Sequence, residues 1–278
     1  MRKVFIAYGD ANCAYSLKRI GKQASKLGLF NDIILYTPDT LPSYIKSSPL
    51  MQHSYGGGYW AWKPCIIKET LDRYDDGDIV CYIDAGCSLQ KGIEWTLYFE
   101  LMKEYDTICF KYRDEYPQWA KFGATSTKIR YWGKKQTLEY LNQFVGHTAW
   151  QECNKIWGGM LFFKNKHNTI LKDWLDITLH HPEIILDPSD LELKNQYPYF
   201  AKHKHDQVVL VALAFLHKDQ CLVLPDLSDS CGKNVAIYAS RIRAKDKEQY
   251  IILQLKYWGR FLLGDRIFEW CKSKLLYK

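Results

Sequence analysis

The chain has 278 residues, 47% of them hydrophobic, which is enough for one large α/β domain or two small ones. Its longest uninterrupted apolar run, Val208 to Leu216, is too short to span a bilayer, and the nine cysteines include no Cys-x-x-Cys pair of the kind that zinc modules use. The net charge is +7, but Ser240 to Lys278 holds ten Lys and Arg against four Asp and Glu, so the rest is nearly neutral and offers no basic face for nucleic acid.

The elements follow in chain order from hydrophobic period and turn residues. Val4 to Tyr8 reads as a strand, Asn12 to Leu27 as an amphipathic helix ended near Gly28, and Ile33 to Tyr36 as a second strand before a Thr37-Pro38-Asp39 turn. Met1-Arg2-Lys3 leads straight into the first strand with no secretory pattern. Together with an odd number of cysteines, this predicts a reducing, cytoplasmic setting. Pro64 suits the first turn of a helix running to about Tyr74, and Asp75 to Asp78 turns into a buried strand, Ile79 to Ile83. A helix near Ile93 to Glu104 and a strand from Thr107 to Phe110 come next.

Lys111 to Gly133, with Trp119, Tyr131 and Trp132, has no sustained period and reads as loops over the site. A helix near Lys135 to Phe144 precedes a strand, Ile156 to Phe163, carrying Gly158 and Gly159 near its start. Asn168 to His180 is expected to be helical, Pro182 to Asn195 a connection, Asp206 to His217 a helix with Asp206 as acidic N-cap, and Leu222 to Leu224 a last strand. Strand alternating with helix predicts a single α/β, Rossmann-like domain over residues 1–239 with a mainly parallel central sheet. Residues 240–278 read as basic amphipathic helices, mixing Ile251, Ile252, Leu255, Phe261, Leu262, Ile267 and Phe268 with Lys and Arg. They suit docking on the core or on an anionic membrane surface.

The stretch from Gly56 to Gly86 concentrates the chemistry. Gly56-Gly57-Gly58 permits backbone conformations closed to other residues, Trp60 and Trp62 suit stacking on a base or sugar, and Lys63 suits a phosphate at a helix N-terminus. Asp84 ends the Ile79 strand where ligands of open α/β sheets bind. A carboxylate there suits a metal ion or a ribose, or caps the next turn, while Ala85 and Gly86 allow close approach. Gly158 and Gly159 make room for a neighbour. The alternating His203 and His205 do not share a helical face and form a metal pair only in an extended segment.

Three ordered motifs carry a resemblance: Gly58-Tyr59-Trp60-Ala61-Trp62-Lys63-Pro64, Tyr82-Ile83-Asp84-Ala85-Gly86-Cys87, and His203-Lys204-His205-Asp206-Gln207. Between Val4 and about Leu216 the chain resembles bacterial surface and capsular polysaccharide glycosyltransferases of the nucleotide-diphosphosugar transferase (GT-A) fold. More distantly it resembles the glycogenin-like retaining hexosyltransferases. The resemblance implies transfer from a nucleoside-diphosphate sugar, a UDP-sugar by preference, to a hydroxyl of a glycan or glycolipid acceptor at the inner face of the cytoplasmic membrane. It implies Asp84 and Asp206 as catalytic residues and Tyr8, Gly58, Trp60, Trp62, Lys63, Asp84, Ala85 and Gly86 as donor contacts. Trp157, Gly158, Gly159, His205 and Gln207 fall in the acceptor pocket. In the wider family Asp84 opens a carboxylate pair that binds Mn²⁺ or Mg²⁺ on the diphosphate, but Gly86 stands at the second position here. The competing expectation is a non-catalytic carbohydrate- or nucleic-acid-binding protein.

Overall fold

The computed structural model describes residues 1–114, 124–228 and 235–255. The chain opens with β1 (Lys3–Tyr8), passes a short 3-10 turn capped by Asp10, and enters α1 (Ala14–Leu27), which Gly28 ends in the left-handed region at φ 65° before β2 (Asp32–Tyr36). Residues 37–59 form four single turns that hydrophobic period does not reveal. Then come α2 (Trp62–Leu71), β3 (Ile79–Ile83), β4 (Ser88–Leu89), α3 (Glu94–Glu104), β5 (Thr107–Lys111) and α4 (Lys135–Val145). The remaining main elements are β6 (Met160–Lys164), α5 (Thr169–His180), α6 (Asp206–Leu216), β7 (Cys221–Pro225) and β8 (Ile237–Tyr238), with a helical stretch over 247–255.

Six strands form the central sheet in the order β2-β1-β3-β6-β5-β7, while β4 and β8 pair apart from it. All neighbours in the large sheet are parallel except β6, which runs against both β3 and β5. The expected Rossmann-like α/β domain with a mainly parallel sheet is therefore what the chain forms.

Strand alternation divides the core. Val4, Ile6, Val80, Tyr82, Cys109, Leu161 and Phe163 face one layer, packed by residues of α2, α4, α5 and α6, and Phe5, Ala7, Cys81, Ile83, Ile108, Phe110 and Phe162 face the other, packed by α1 and α3. Val208 to Ala214 of α6 is buried without a break, which accounts for the chain's longest apolar run. No helix among the described residues is long and apolar enough to cross a membrane.

Several boundaries differ from expectation for local reasons. β6 begins at Met160 because Gly158 and Gly159 form a turn, and Ile156 makes only an isolated bridge to Lys111. α6 starts at Asp206 with His205, at φ 47°, in the cap position, so the Asp206 carboxylate is not spent on capping. Residues 240–244 pack against α1 and the β3–β4 loop. Ser240 Oγ and Ile242 N donate to Gly86 O, Ser16 Oγ donates to Ile242 O, and the Tyr15 and Ser16 amides donate to Ala244 O. Ala244 thus satisfies N–H groups at the start of α1 that have no partner within the helix. Ile251, Ile252 and Leu255 are exposed; Trp119, Phe261, Leu262, Ile267 and Phe268 lie outside the described residues.

Candidate active site

The ends of five strands meet along one edge of the sheet. Tyr8 closes β1, Asp84 follows β3, Tyr112 follows β5 and Asp226 follows β7; because β6 is antiparallel, Gly158 and Gly159 enter it from this same edge. A cleft of about 500 Å³ opens there. Its lining includes Trp60, Asp84, Trp157, His205, Asp206 and Gln207. A second cavity of about 280 Å³ reaches between the ends of β1 and β3 past Tyr8, Asp10, Asn12 and Gly57. Trp60, Asp84, Gly86 and Arg243 line both.

Asp84 sits at this junction, with its backbone amide donating to Gly159 O at 2.9 Å, which ties the β3 end to the β6 entrance. Tyr82 Oη donates to Asp84 Oδ1. Burial first, then the Asp84 charge, pushes the Tyr82 phenol well above its ordinary range, so it stays a donor. The Asp84 side chain is 22% exposed, whereas Lys63 and Asp206 are 4% and 5% exposed, so Asp84 is the carboxylate of the three-residue set open to a ligand.

The Lys63 ammonium lies under the floor rather than in the cleft's open space. It donates to Asp206 Oδ2 at 3.0 Å and Gly158 O at 2.8 Å, with Asp84 Oδ1 at 3.8 Å. One buried cation therefore pairs directly with Asp206 and stands beside Asp84, between the two carboxylates. Gly158 is needed for this: a Cβ there would meet Asp206 Oδ2 at 2.9 Å and Lys63 Nζ at 3.1 Å. A Cβ on Gly159 would meet the Trp157 indole at 2.5 Å. Both glycines make room, as their positions suggested.

The glycine-rich turn adopts the backbone that its composition permits, with φ 61°, 59° and 94° at Gly56, Gly57 and Gly58. It turns the two tryptophans to different ends. Trp62 is buried, stacks on Tyr8 with ring centroids 4.0 Å apart, and donates from Nε1 to Gly56 O. Trp60 is half-buried, tilts against His205 at 5.4 Å and lines both cavities, whereas Trp62 lines the smaller one. Burial, with Asp10 nearby, raises the Tyr8 phenol to about 12.

His203 and His205 do not form a metal pair. His203 is enclosed, its Nδ1 accepting from the Lys134 amide and its Nε2 donating to Ile184 O. His205 Nδ1 donates to Ile185 O at 2.8 Å, which fixes the tautomer and leaves Nε2 a buried acceptor without a hydrogen-bond partner among the described residues. Burial lowers both imidazoles below their usual range. Gln207 Oε1 is likewise buried and unsatisfied in the cleft. Two orphaned acceptors in one cleft suit hydroxyl groups of a ligand.

The donor set does not fit a divalent cation. Among the described residues no three of His, Cys, Asp and Glu gather where they could hold an ion. Asp84 has given Oδ1 to Tyr82, and the Gly86 carbonyl is taken by Ser240 and Ile242. The described cysteines are free thiols, and Cys13, at the rim of the small cavity, is raised to about 11 by burial and Asp10, which makes it a poor nucleophile.

Sequence reasoning missed several contributors. Arg19 inserts beneath the loop after Asp84, donating to Ala85 O, Cys87 O and Ser88 Oγ; an arginine beside Ile20 on the buried side of α1 was the available signal. Arg241 and Arg243 line the cleft from the tail, which the sequence reads only as basic amphipathic helices. Lys155 also reaches the cleft from a segment without period, while Trp132 lines it from the stretch that the sequence reads as loops over the site.

No family model and no curated protein matches the chain. Solved structures of similar outline include apo mouse xyloside xylosyltransferase 1, with TM-score 0.43 and 12% identity over 86% of this chain and 97% of that one. The galactosyltransferase LgtC, in complex with donor and acceptor sugar analogs, gives 0.36 and 15% over 79% and 72%. A197 from STIV gives 0.34 and 13% over 81% and 82%. Likeness at this distance does not specify an activity.

Proposed function

We propose that the chain is a glycosyltransferase of GT-A type that moves a sugar from a nucleoside-diphosphate sugar to a hydroxyl acceptor. The observation that carries this is the meeting of two cavities at Asp84, beyond the ends of β1 and β3. The smaller cavity, with Tyr8, Asp10 and Asn12 on its wall, suits a nucleoside. The larger has the room and the polar groups for the transferred sugar and the acceptor.

Asp84 Oδ2 accepts from a ribose or sugar hydroxyl, Oδ1 being held by Tyr82. Trp60 packs on a ring at the junction, and His205 Nε2 and Gln207 Oε1 each accept from a sugar hydroxyl. The acceptor oxygen attacks the anomeric carbon, the bond from that carbon to the diphosphate oxygen breaks, and the hydroxyl proton leaves with the diphosphate. This is the balance of a same-face, retaining transfer. Asp206, held by Lys63 beside the cleft, supports positive charge at the reacting carbon. The three motifs favour a UDP-hexose donor and a surface-polysaccharide or lipid-linked acceptor, reached from the cytoplasmic membrane face.

A thermal-shift panel of UDP-, GDP-, CMP- and dTDP-sugars tests the reading, since a ligand at about 100 times its Kd stabilises the fold by about 2.7 kcal/mol. One nucleotide class is expected to raise Tm, and Asp84→Asn to remove the shift. No shift from any donor with folded protein contradicts it.

A further inference from the structure

A transferase that cleaves a sugar from a diphosphate must neutralise the charge that grows on the leaving group. Where a second carboxylate would complete a metal site, this chain has Gly86, and its surroundings are cationic. A Cβ built on Gly86 would point at the Arg243 stem, 3.5 Å from Cγ, and at the Arg241 backbone, 3.7 Å from Cα. A carboxylate at this position would be directed toward arginine rather than toward an ion shared with Asp84.

Both arginines are exposed side chains on a segment fixed from three sides. β8 pairs with β4, Ser240 Oγ and Ile242 N hold the Gly86 carbonyl, and Ser16 Oγ accepts from Ala244 N while donating to Ile242 O. Between these anchors Arg241 adopts φ 53°, a left-handed conformation costly for a residue with a side chain and retained only where its neighbours enforce it. Arg243 is one of the four residues common to both cavities, so it stands where the nucleoside and sugar halves of a donor would join. Its charge also acts on the Cys13 and Cys87 thiols to either side, lowering each against the effect of burial. Lys63 cannot serve instead, because Asp206 and Gly158 already hold its ammonium.

We propose that Arg243, with Arg241 beside it, clamps the donor's diphosphate at the Gly86 backbone, so that the chain binds its nucleotide without a divalent metal. This rests on the nucleotide-sugar reading above and assigns the charge-neutralising role within it. Guanidinium groups bind phosphate oxygens bidentately and carry their charge at all working pH values, which lets them take over the electrostatic part of a metal's work.

The test is isothermal titration of the full chain with UDP, GDP, dTDP and their nucleosides, in EDTA and then with Mn²⁺ or Mg²⁺, for the wild type, Arg243→Ala, Arg243→Lys and Arg241→Ala. One diphosphate is expected to bind in EDTA, with affinity that falls as salt rises and changes little on adding metal. Arg243→Ala is expected to weaken that diphosphate by about tenfold or more while leaving its nucleoside unaffected, Arg243→Lys to recover part of the loss, and Arg241→Ala to have a smaller effect. Binding that appears only with metal overturns the clamp and leaves the transferase reading in place, as does metal-free binding that neither alanine variant weakens. Failure of every nucleotide and nucleoside in the series to bind under every condition, from protein with an unchanged Tm, removes the nucleotide site itself and the clamp with it.

Discussion

At the scale of single residues, the site is organised by a buried charge. Lys63 is nearly sealed between Asp206 and the Gly158 carbonyl, and it is this cation that makes a buried carboxylate at 206 tolerable. Lys63→Ala is expected to destabilise the fold by about 3–5 kcal/mol in urea denaturation, because it strands Asp206 without compensation. The double variant Lys63→Met with Asp206→Leu is expected to cost less than Lys63→Ala alone, and the reverse order would contradict the pairing. The two buried histidines make a separate statement about pH. Both are held below the ordinary 6.5, mainly by burial, so the unfolded chain takes up protons first. Stability is therefore fully present above about pH 6.5 and falls on acidification until the folded histidines protonate as well, by up to about 1.4 kcal/mol per pH unit for each. Denaturant titrations between pH 7.5 and 5.5 check the slope; a stability that holds or rises on acidification contradicts it.

At the scale of elements, the parts readable from sequence were those with a strong local period or a forced backbone. β1, α1, β2 and β3 carried clear apolar patterns, and the consecutive glycines at 56–58 announced a turn that does adopt positive φ throughout. Asp84 could be singled out because an uninterrupted apolar strand stops at it. What could not be read were partnerships across the chain. Lys63 and Asp206 are 143 positions apart, and Ser240 reaches Gly86 across 154, with no local pattern that couples them. Trp62 looked as available as Trp60 until Tyr8 was found stacked on it. The tail's arginines read only as part of basic amphipathic helices, because their recruitment to the cleft depends on backbone hydrogen bonds that side-chain patterning does not encode. Ser16 is the hinge of that recruitment, bonded to both Ile242 O and Ala244 N. Ser16→Ala leaves a buried carbonyl and amide unpaired and is expected to cost about 1–3 kcal/mol in stability. It is also expected to weaken nucleotide binding by displacing Arg241 and Arg243. A variant with lower stability and unchanged nucleotide affinity would separate the strap from the site.

At the scale of the whole molecule, one sheet edge gathers every proposed role. Four strand ends, one antiparallel strand entrance and the returning tail converge on two joined cavities, with Asp84 and Arg243 among the residues that line both. The helices beneath hold that edge in place by burying both sheet faces, which leaves the loops above free to be polar. The same convergence joins the nearly neutral main part to Arg241 and Arg243: the charge needed for a diphosphate comes from these arginines and the carboxylates come from the sheet. The most direct measurement is release of nucleoside diphosphate from a panel of nucleotide sugars with glycan acceptors, for the wild type and for Asp84→Asn at matched Tm. The wild type should turn over one donor class, and Asp84→Asn should lower that rate about a hundredfold or more. A normal rate from Asp84→Asn, or no turnover of any donor by the wild type, would contradict sugar transfer at this cleft.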